Sequence, residues 1–253
     1  MKGRVAIVTG AGRGIGRATA LALAARGARV LGVSRTEAEL ASLAAKAPVE
    51  VLAETVATEE GCEHVVEEAR SRLGPVEILV LNAGIGSAEE RPIWDQDPAV
   101  WRATMAVNLD GPFFLTRLAA RDMKERGWGR IVMVSSTSGE LGSPANSAYT
   151  ASKHGLMGLM RAVAQDLGPY GVTCNAVLPG WVRTAMAERS ATVEAERRGV
   201  TVDEVWAERD AEYPAGRVVT AEEIAATIAF LLSDEVGFMS GSIVAVDGAW
   251  TAG

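Results

Sequence analysis

The chain is poor in the residues that staple or metallate small proteins. Its 253 residues include only two cysteines and two histidines. Cys62 and Cys174 lie far apart, with no His or Cys partner at ligand spacing, so they read as reduced thiols rather than a disulfide framework. His64 and His154 do not complete a ligand set, and no metal is expected. No apolar run approaches the roughly 18 residues of a membrane-spanning helix. Met1-Lys-Gly-Arg-Val-Ala-Ile reads as the start of a strand rather than a signal peptide, so a soluble cytoplasmic protein is expected. No block of lysine or arginine stands out, and the formal net charge is −7, which argues against nucleic acid or an anionic membrane as partner. A linker rich in Pro, Gly or Ser is missing too, and no internal repeat is visible. The expectation is a single domain over residues 1–253.

What is present is core-forming: 48% of the residues are hydrophobic and 23% charged. Short β-branched runs alternate with longer helical patterns. Strands are expected at Val5–Thr9, Ala28–Val33, Val49–Thr55, Ile78–Leu81, Ile131–Val134, Val172–Val177 and Ile243–Val246. Helices are expected at Ile15–Ala25, Glu37–Ala45, Glu59–Leu73, Ala99–Glu125, Ser152–Leu167 and Ala221–Leu232. Thr36-Glu-Ala-Glu39 fits a capping box, and Thr58 and Thr220 are further cap candidates. Strands apolar throughout suit a sheet covered on both faces, and strand–helix alternation gives an α/β doubly wound parallel sheet. The charged stretch 185–216 lies between the sixth strand and the last long helix, where a substrate lid is expected.

Two features carry chemistry. Thr9-Gly-Ala-Gly-Arg-Gly-Ile-Gly16 follows the first strand and opens the first helix. It fails the G-x-G-x-x-G test, since Ile15 takes the last position, but fits Gly10-x-x-x-Gly14-x-Gly16. That spacing serves the same end: a tight turn, close backbone approach to a pyrophosphate, and free N–H groups at a helix start. Tyr149-Thr-Ala-Ser-Lys153 places a phenol and an ammonium at i and i+4, on one helix face. A free tyrosine ionises near pH ~10, and a fixed cation beside it is expected to draw that value toward the working range.

Together with Asn82-Ala83-Gly84 after the fourth strand, Asn108, Ser136 after the fifth, Pro179-Gly180 after the sixth and Asp247-Gly248, these motifs resemble the short-chain dehydrogenase/reductase family over essentially the whole chain. The resemblance implies a seven-stranded Rossmann-type sheet in the order 3-2-1-4-5-6-7, a nicotinamide cofactor and hydride transfer between a carbonyl and a secondary alcohol. It implies Tyr149 as proton donor or acceptor, Lys153 as the cation that tunes it and holds the nicotinamide ribose, Ser136 as the group polarising the reacting oxygen, and Asn108 as anchor of a water leading to solvent. Cofactor contacts are implied for Gly10, Arg13, Gly14, Ile15, Gly16, Ser34, Arg35, Thr55, Val56, Asn82, Ala83, Gly84, Tyr149, Lys153, Pro179, Gly180, Val182 and Thr184. The chain departs from the family where Thr55 replaces an Asp near the adenine and where Leu81 precedes Asn82.

NAD-preferring members carry Asp near Ser34; here Arg35 and Arg13 stand ready for a 2′-phosphate instead, so NADP(H) is the expected cofactor, with NAD(H) as the alternative. Substrate contacts are expected from Ser138, Asn146, Trp181 and Met186, within the segments 86–91, 138–146 and 181–186. The resemblance is to 3-oxoacyl-carrier-protein reductases and also to hydroxybutyrate dehydrogenases, through Trp181 and Asp247-Gly-Ala-Trp250-Thr. Hydroxybutyrate enzymes grip a carboxylate with Gln, His and Lys; Ala88, Ser138 and Asn146 stand at those positions here, so a neutral 3-oxoacyl thioester or ketone, free or carrier-bound, is favoured over a small free acid. A hydroxyacid or other alcohol dehydrogenase is the second reading, and a non-catalytic cofactor-sensing module of the same fold a third. The helices 99–125 and 152–167, with Phe113, Phe114, Leu156, Met157, Leu159 and Met160, are implied to form a dimer interface within a homotetramer.

Overall fold

Residues 1–86 and 91–252 are described by a computed structural model. Among them, seven parallel strands form one sheet: β1 (Val5–Thr9), β2 (Arg29–Ser34), β3 (Val49–Ala53), β4 (Ile78–Leu81), β5 (Gly129–Val134), β6 (Val172–Pro179) and β7 (Ile243–Val246). Their order is β3-β2-β1-β4-β5-β6-β7, as expected. The helices are α1 (Gly14–Ala25), α2 (Glu37–Ala44), α3 (Glu59–Arg72), α4 (Pro98–Met105), α5 (Gly111–Arg126), α6 (Ser147–Leu167), α7 (Ala185–Arg198), α8 (Val202–Ala211) and α9 (Ala221–Leu231).

Successive side chains of a strand point to opposite faces, and β1 shows what this does here. Val5 and Ile7 enter one core with Val65 and Ala69 of α3, Leu115 and Met123 of α5 and Leu156 and Met160 of α6. Ala6 and Val8 enter the other, with Ala20 and Leu23 of α1 and Ile224 and Ile228 of α9. Both faces are dry at the centre of the sheet, which is why β1 and β4 carry no polar alternation. Each Val, Leu, Ile or Met side chain so buried contributes about 1.5–3 kcal/mol. A third apolar cluster, Ala187, Ala191, Ala195, Val205, Trp206, Tyr213 and Val218, sits apart from the sheet and holds α7 and α8 together.

Three expectations are corrected. The single helix expected over Ala99–Glu125 is two α-helices joined by a π-helical turn, Ala106–Asp110. Pro112 explains it: proline has no N–H to donate to the carbonyl four residues back and its ring crowds that carbonyl, so the ladder widens there. Thr36 makes no side-chain cap bond, so the Thr36–Glu39 capping box does not form; Thr58 and Thr220 do cap, accepting from the backbone N–H of Gly61 and Glu223. The helix expected from Ser152 begins at Ser147, which brings Tyr149 inside it. The segment 185–216 forms two helices, the second opened by a Thr201–Glu204 capping box.

The strand order reverses between β1 and β4. In open α/β sheets the crevice at the carboxyl edge beside such a reversal is where ligands bind. The loops after β1, β4, β5 and β6 converge there, and they carry the motifs singled out in the sequence.

Candidate active site

The loop after β1 is built around its glycines. Gly10 and Gly14 have positive φ, +66° and +54°, which L side chains rarely adopt. A Cβ on Gly16 would lie 2.2 Å from the Gly10 carbonyl oxygen and 2.5 Å from Asn82 Nδ2, so only glycine lets the loop close on the helix start. The first turn of α1 has neither a side-chain cap nor an acidic residue. Its backbone N–H groups and dipole are thereby left for an anion.

Asn82 ties this loop to the neighbouring strand. Its Nδ2 donates to the Thr9 carbonyl at 2.9 Å, while Thr9 Oγ1 accepts from the N–H groups of Asn82 and Ala83, each at 3.0 Å. Thr184 at the start of α7 faces the loop from the other side, its Cγ2 being 3.0 Å from where a Gly14 Cβ would sit. Val182, buried beside it, bridges to Val219. Ser34 ends β2 near Gly12, and Arg35 next to it is exposed. Arg13 pairs with Glu39, Nη1 to Oε1 at 3.1 Å. Thr55 turns its hydroxyl inward to accept from the Ala57 N–H at 3.2 Å, and Val56 is buried behind it.

On α6 the phenol and the ammonium share a face as the spacing requires, with Lys153 Nζ 5.5 Å from the Tyr149 ring centroid. Lys153 is buried and donates to the Val134 carbonyl oxygen at 2.8 Å. Burial without a carboxylate partner lowers its pKa to about 8. Burial likewise pushes the Tyr149 phenol above its usual range, and a hydrogen bond with Ser136 pulls it part of the way back. The opposing pull on Tyr149 comes from Ser136, while the Lys153 ammonium, close to the Tyr149 ring, also donates to the Val134 carbonyl.

Ser136 has extended backbone, and its Oγ accepts from the Ser138 N–H at 3.1 Å. Asn108, buried in the π-helical turn, accepts from the Ile85 N–H and donates to the Ile85 carbonyl, both at 2.9 Å, and donates to Ser152 Oγ at 3.0 Å. Its side chain thus binds the loop after β4 to α6. Gly84 lies between Asn108 and Lys153, its Cβ position 3.5 Å from Asn108 Oδ1 and 3.6 Å from Lys153 Nζ.

The expected substrate positions border this group. Ser138 Oγ lies 3.0 Å from Ser143 Oγ. Asn146 caps α6 only by position; its Oδ1 is buried with no hydrogen-bond partner among the described residues. Met186 is partly exposed, its Sδ 3.7 Å from the Cβ position of Gly86 across the cleft. Trp181 is held rather than free: Arg209, itself buried, stacks its guanidinium 3.8 Å from the Trp181 ring, and the Trp181 backbone N–H donates to Tyr213 Oη at 2.6 Å. Pro179 ends β6, and Gly180 is pressed against Tyr213, whose Oη lies 2.4 Å from its Cβ position. Ala88 lies outside the described residues.

Two residues escaped the sequence reading. Gln96 clamps the loop before α6: its Nε2 donates to the carbonyls of Arg91 and Ala145, and Ser147 Oγ donates to its Oε1 at 2.8 Å. It holds Ala145 at φ +59°, a strained value for a residue with a Cβ. Arg209 looked like one more charge in an exposed stretch. Nothing in local pattern separates either from ordinary surface residues.

The glycine cradle, the uncapped helix start and the polar groups around Tyr149 fit a nucleotide cofactor lying across the carboxyl edge of the sheet. The comparisons agree. The family model described as enoyl-(acyl carrier protein) reductase matches residues 10–251. The chain is 36% identical to D-beta-hydroxybutyrate dehydrogenase of Cupriavidus necator, over 100% of this chain and 99% of that protein. It is also 36% identical to the 3-oxoacyl-[acyl-carrier-protein] reductase FabG of Escherichia coli, over 98% and 97%. An actinorhodin polyketide ketoreductase variant crystallised with NADPH superposes with a TM-score of 0.92 at 32% identity, covering 98% of this chain and 97% of that one. The chain belongs to the short-chain dehydrogenase/reductase family, NAD(P)-linked oxidoreductases acting on hydroxyl and keto groups.

Proposed function

We propose that the protein is an NADP(H)-dependent ketoreductase that interconverts a 3-oxoacyl thioester or related ketone and its secondary alcohol. The observation that carries this is Tyr149 set beside Lys153 on α6, with Ser136 next to the phenol, at the same sheet edge as the glycine loop. A nicotinamide nucleotide, when bound, supplies or accepts the hydride. Carbonyl reduction builds negative charge on oxygen, so donors must already point at it. Ser136 Oγ and Tyr149 Oη are those donors, and the Tyr149 proton is the one delivered. Lys153 offsets the phenolate that remains and holds a ribose hydroxyl. Asn108 keeps the Ile85 loop and α6 in register and anchors a water leading from Lys153. Gly10, Arg13, Gly14, Ile15, Gly16, Asn82, Ala83, Gly84 and Thr184 hold the nucleotide, and α7 and α8 form the lid over the substrate.

Tyr149→Phe removes the donor and little else. It should lower kcat on the order of 10²–10⁴-fold with the fold intact, read as NADPH oxidation at saturating substrate. Unchanged turnover overturns the proposal.

NADP(H) preference is supported by the missing acid at Ser34 and the exposed Arg35. One charge-assisted hydrogen bond to a 2′-phosphate is worth about 1.5–3 kcal/mol, a ten- to hundredfold bias. Initial rates with NADPH and NADH test it, and equal or better efficiency with NADH removes it.

The similarity to a hydroxybutyrate dehydrogenase favours a second reading, oxidation of a small hydroxyacid. Against it, Ser138 and Asn146 offer no cation to a carboxylate. Parallel assays with acetoacetyl thioester and acetoacetate decide between them: turnover of acetoacetate alone reverses the ranking.

A further inference from the structure

Glu39 occupies the third position of α2, where its carboxylate would complete a capping box with Thr36, yet that bond is not made. Instead the side chain reaches back to the glycine loop. Its Oε1 pairs with Arg13 Nη1 at 3.1 Å. Its Oε2 lies 2.6 Å, and Ser34 Oγ 3.0 Å, from the Cβ position of Gly12. A carboxylate and a hydroxyl thus converge on one point beside the loop at the end of β2. Arg17 fixes the approach from behind, its Nη1 donating to the Glu39 carbonyl at 3.3 Å and its Nη2 to the Ser42 carbonyl at 3.0 Å.

The end of the second strand is where an acidic side chain takes the adenosine ribose hydroxyls in dinucleotide folds. Here the strand end offers Ser34, and the acid arrives from the next helix. We propose that Glu39 is a cofactor-specificity residue: it accepts from the ribose hydroxyls of NAD(H), opposes a 2′-phosphate, and holds Arg13 away from that phosphate. Binding of NADP(H) must separate Arg13 from Glu39 and place a dianionic group near the carboxylate it leaves. Binding of NAD(H) leaves the pair intact. Glu39 therefore narrows whatever advantage Arg13 and Arg35 give the phosphorylated cofactor. This rests on the glycine loop being the dinucleotide site, and not on which dinucleotide the wild type prefers.

The test is calorimetric titration of NADP+ and NAD+ into the wild type, Glu39→Gln, Arg13→Ala and the double variant. Glutamine keeps the size and removes the charge. In Glu39→Gln the ratio Kd(NAD+)/Kd(NADP+) should rise at least tenfold, with tighter NADP+ and weaker NAD+ binding. The rise should be smaller when Arg13 is already alanine. A ratio unchanged within twofold, both nucleotides still binding, overturns the role of Glu39 and leaves the dinucleotide site standing. A wild type that binds neither nucleotide overturns both. The wild-type ratio by itself tests NADP(H) preference and does not bear on the shift.

Discussion

Lys153 donates from Nζ to the carbonyl oxygen of Val134 at 2.8 Å, tying the middle of α6 to the last residue of β5. The bond uses the ammonium as a structural donor in a buried place. The folded pKa near 8 lies below the ordinary lysine value of 10.5, so over that interval the unfolded chain binds the extra proton. Stability contributed by this group is then complete above the unfolded pKa and lost as pH falls through 8. Wild-type stability minus that of Lys153→Met should rise between pH 7 and 9.5 by about 2 kcal/mol. Urea denaturation across that range reads it, below the pH at which Tyr149 ionises. A flat difference would mean that Lys153 keeps an ordinary pKa.

Asn108 spends its amide on Ile85 and Ser152. Asn108→Ala strips partners from the partly buried Ile85 N–H and carbonyl, each orphan costing up to roughly 1–3 kcal/mol. The variant should melt lower, and the Ile85 amide should exchange faster by hydrogen–deuterium exchange, while amides in β1 and β5 keep their protection.

Gly16→Ala adds a single methyl where the Gly10 carbonyl already stands, 2.2 Å from the new Cβ. The loop must open to admit it. Affinity for NADP+ should fall more than tenfold in titration, with the far-ultraviolet dichroism unchanged.

Arg209→Met tests the packing of α7 against α8. The guanidinium donates to the Ala187 carbonyl, Ser190 Oγ and Glu194 Oε2 and stacks on Trp181 and Trp206. Methionine matches its apolar stem and makes none of these bonds. Local stability of 185–216 should drop by about 2–4 kcal/mol, seen as earlier proteolysis within α7 and α8 and altered tryptophan fluorescence. Equal protease resistance would show that the third cluster holds without Arg209.

Cys62 is buried, with its thiol pushed up to about 12, and Cys174 is raised as well. Thiolates are scarce at both sites. A thiol reagent at pH 8 should label neither in the native protein and both after unfolding in guanidinium.

Strands β1 and β4 begin and end where the apolar runs do, because a strand buried on both faces writes its apolar run directly into the chain. Edges that depend on partners drifted: β5 starts two residues before its apolar run, where Gly129 pairs with Val172, and β6 runs on to Pro179 alongside Val246. The break at Pro112 was open to reading from the sequence, since proline inside a helical pattern disrupts the ladder whatever surrounds it.

What the chain alone determined was the alternation of elements, the glycine loop and the i, i+4 placement of Tyr149 and Lys153. These follow from local sterics and helical period, which need no distant partner. What only the tertiary structure decided was the use of each charge. Lys153 turns to Val134, Glu39 leaves its helix for Arg13, and Arg209 is buried between two tryptophans. A side chain's ionisation and its partner depend on burial and on groups far away in sequence, and neither is encoded in spacing along one segment.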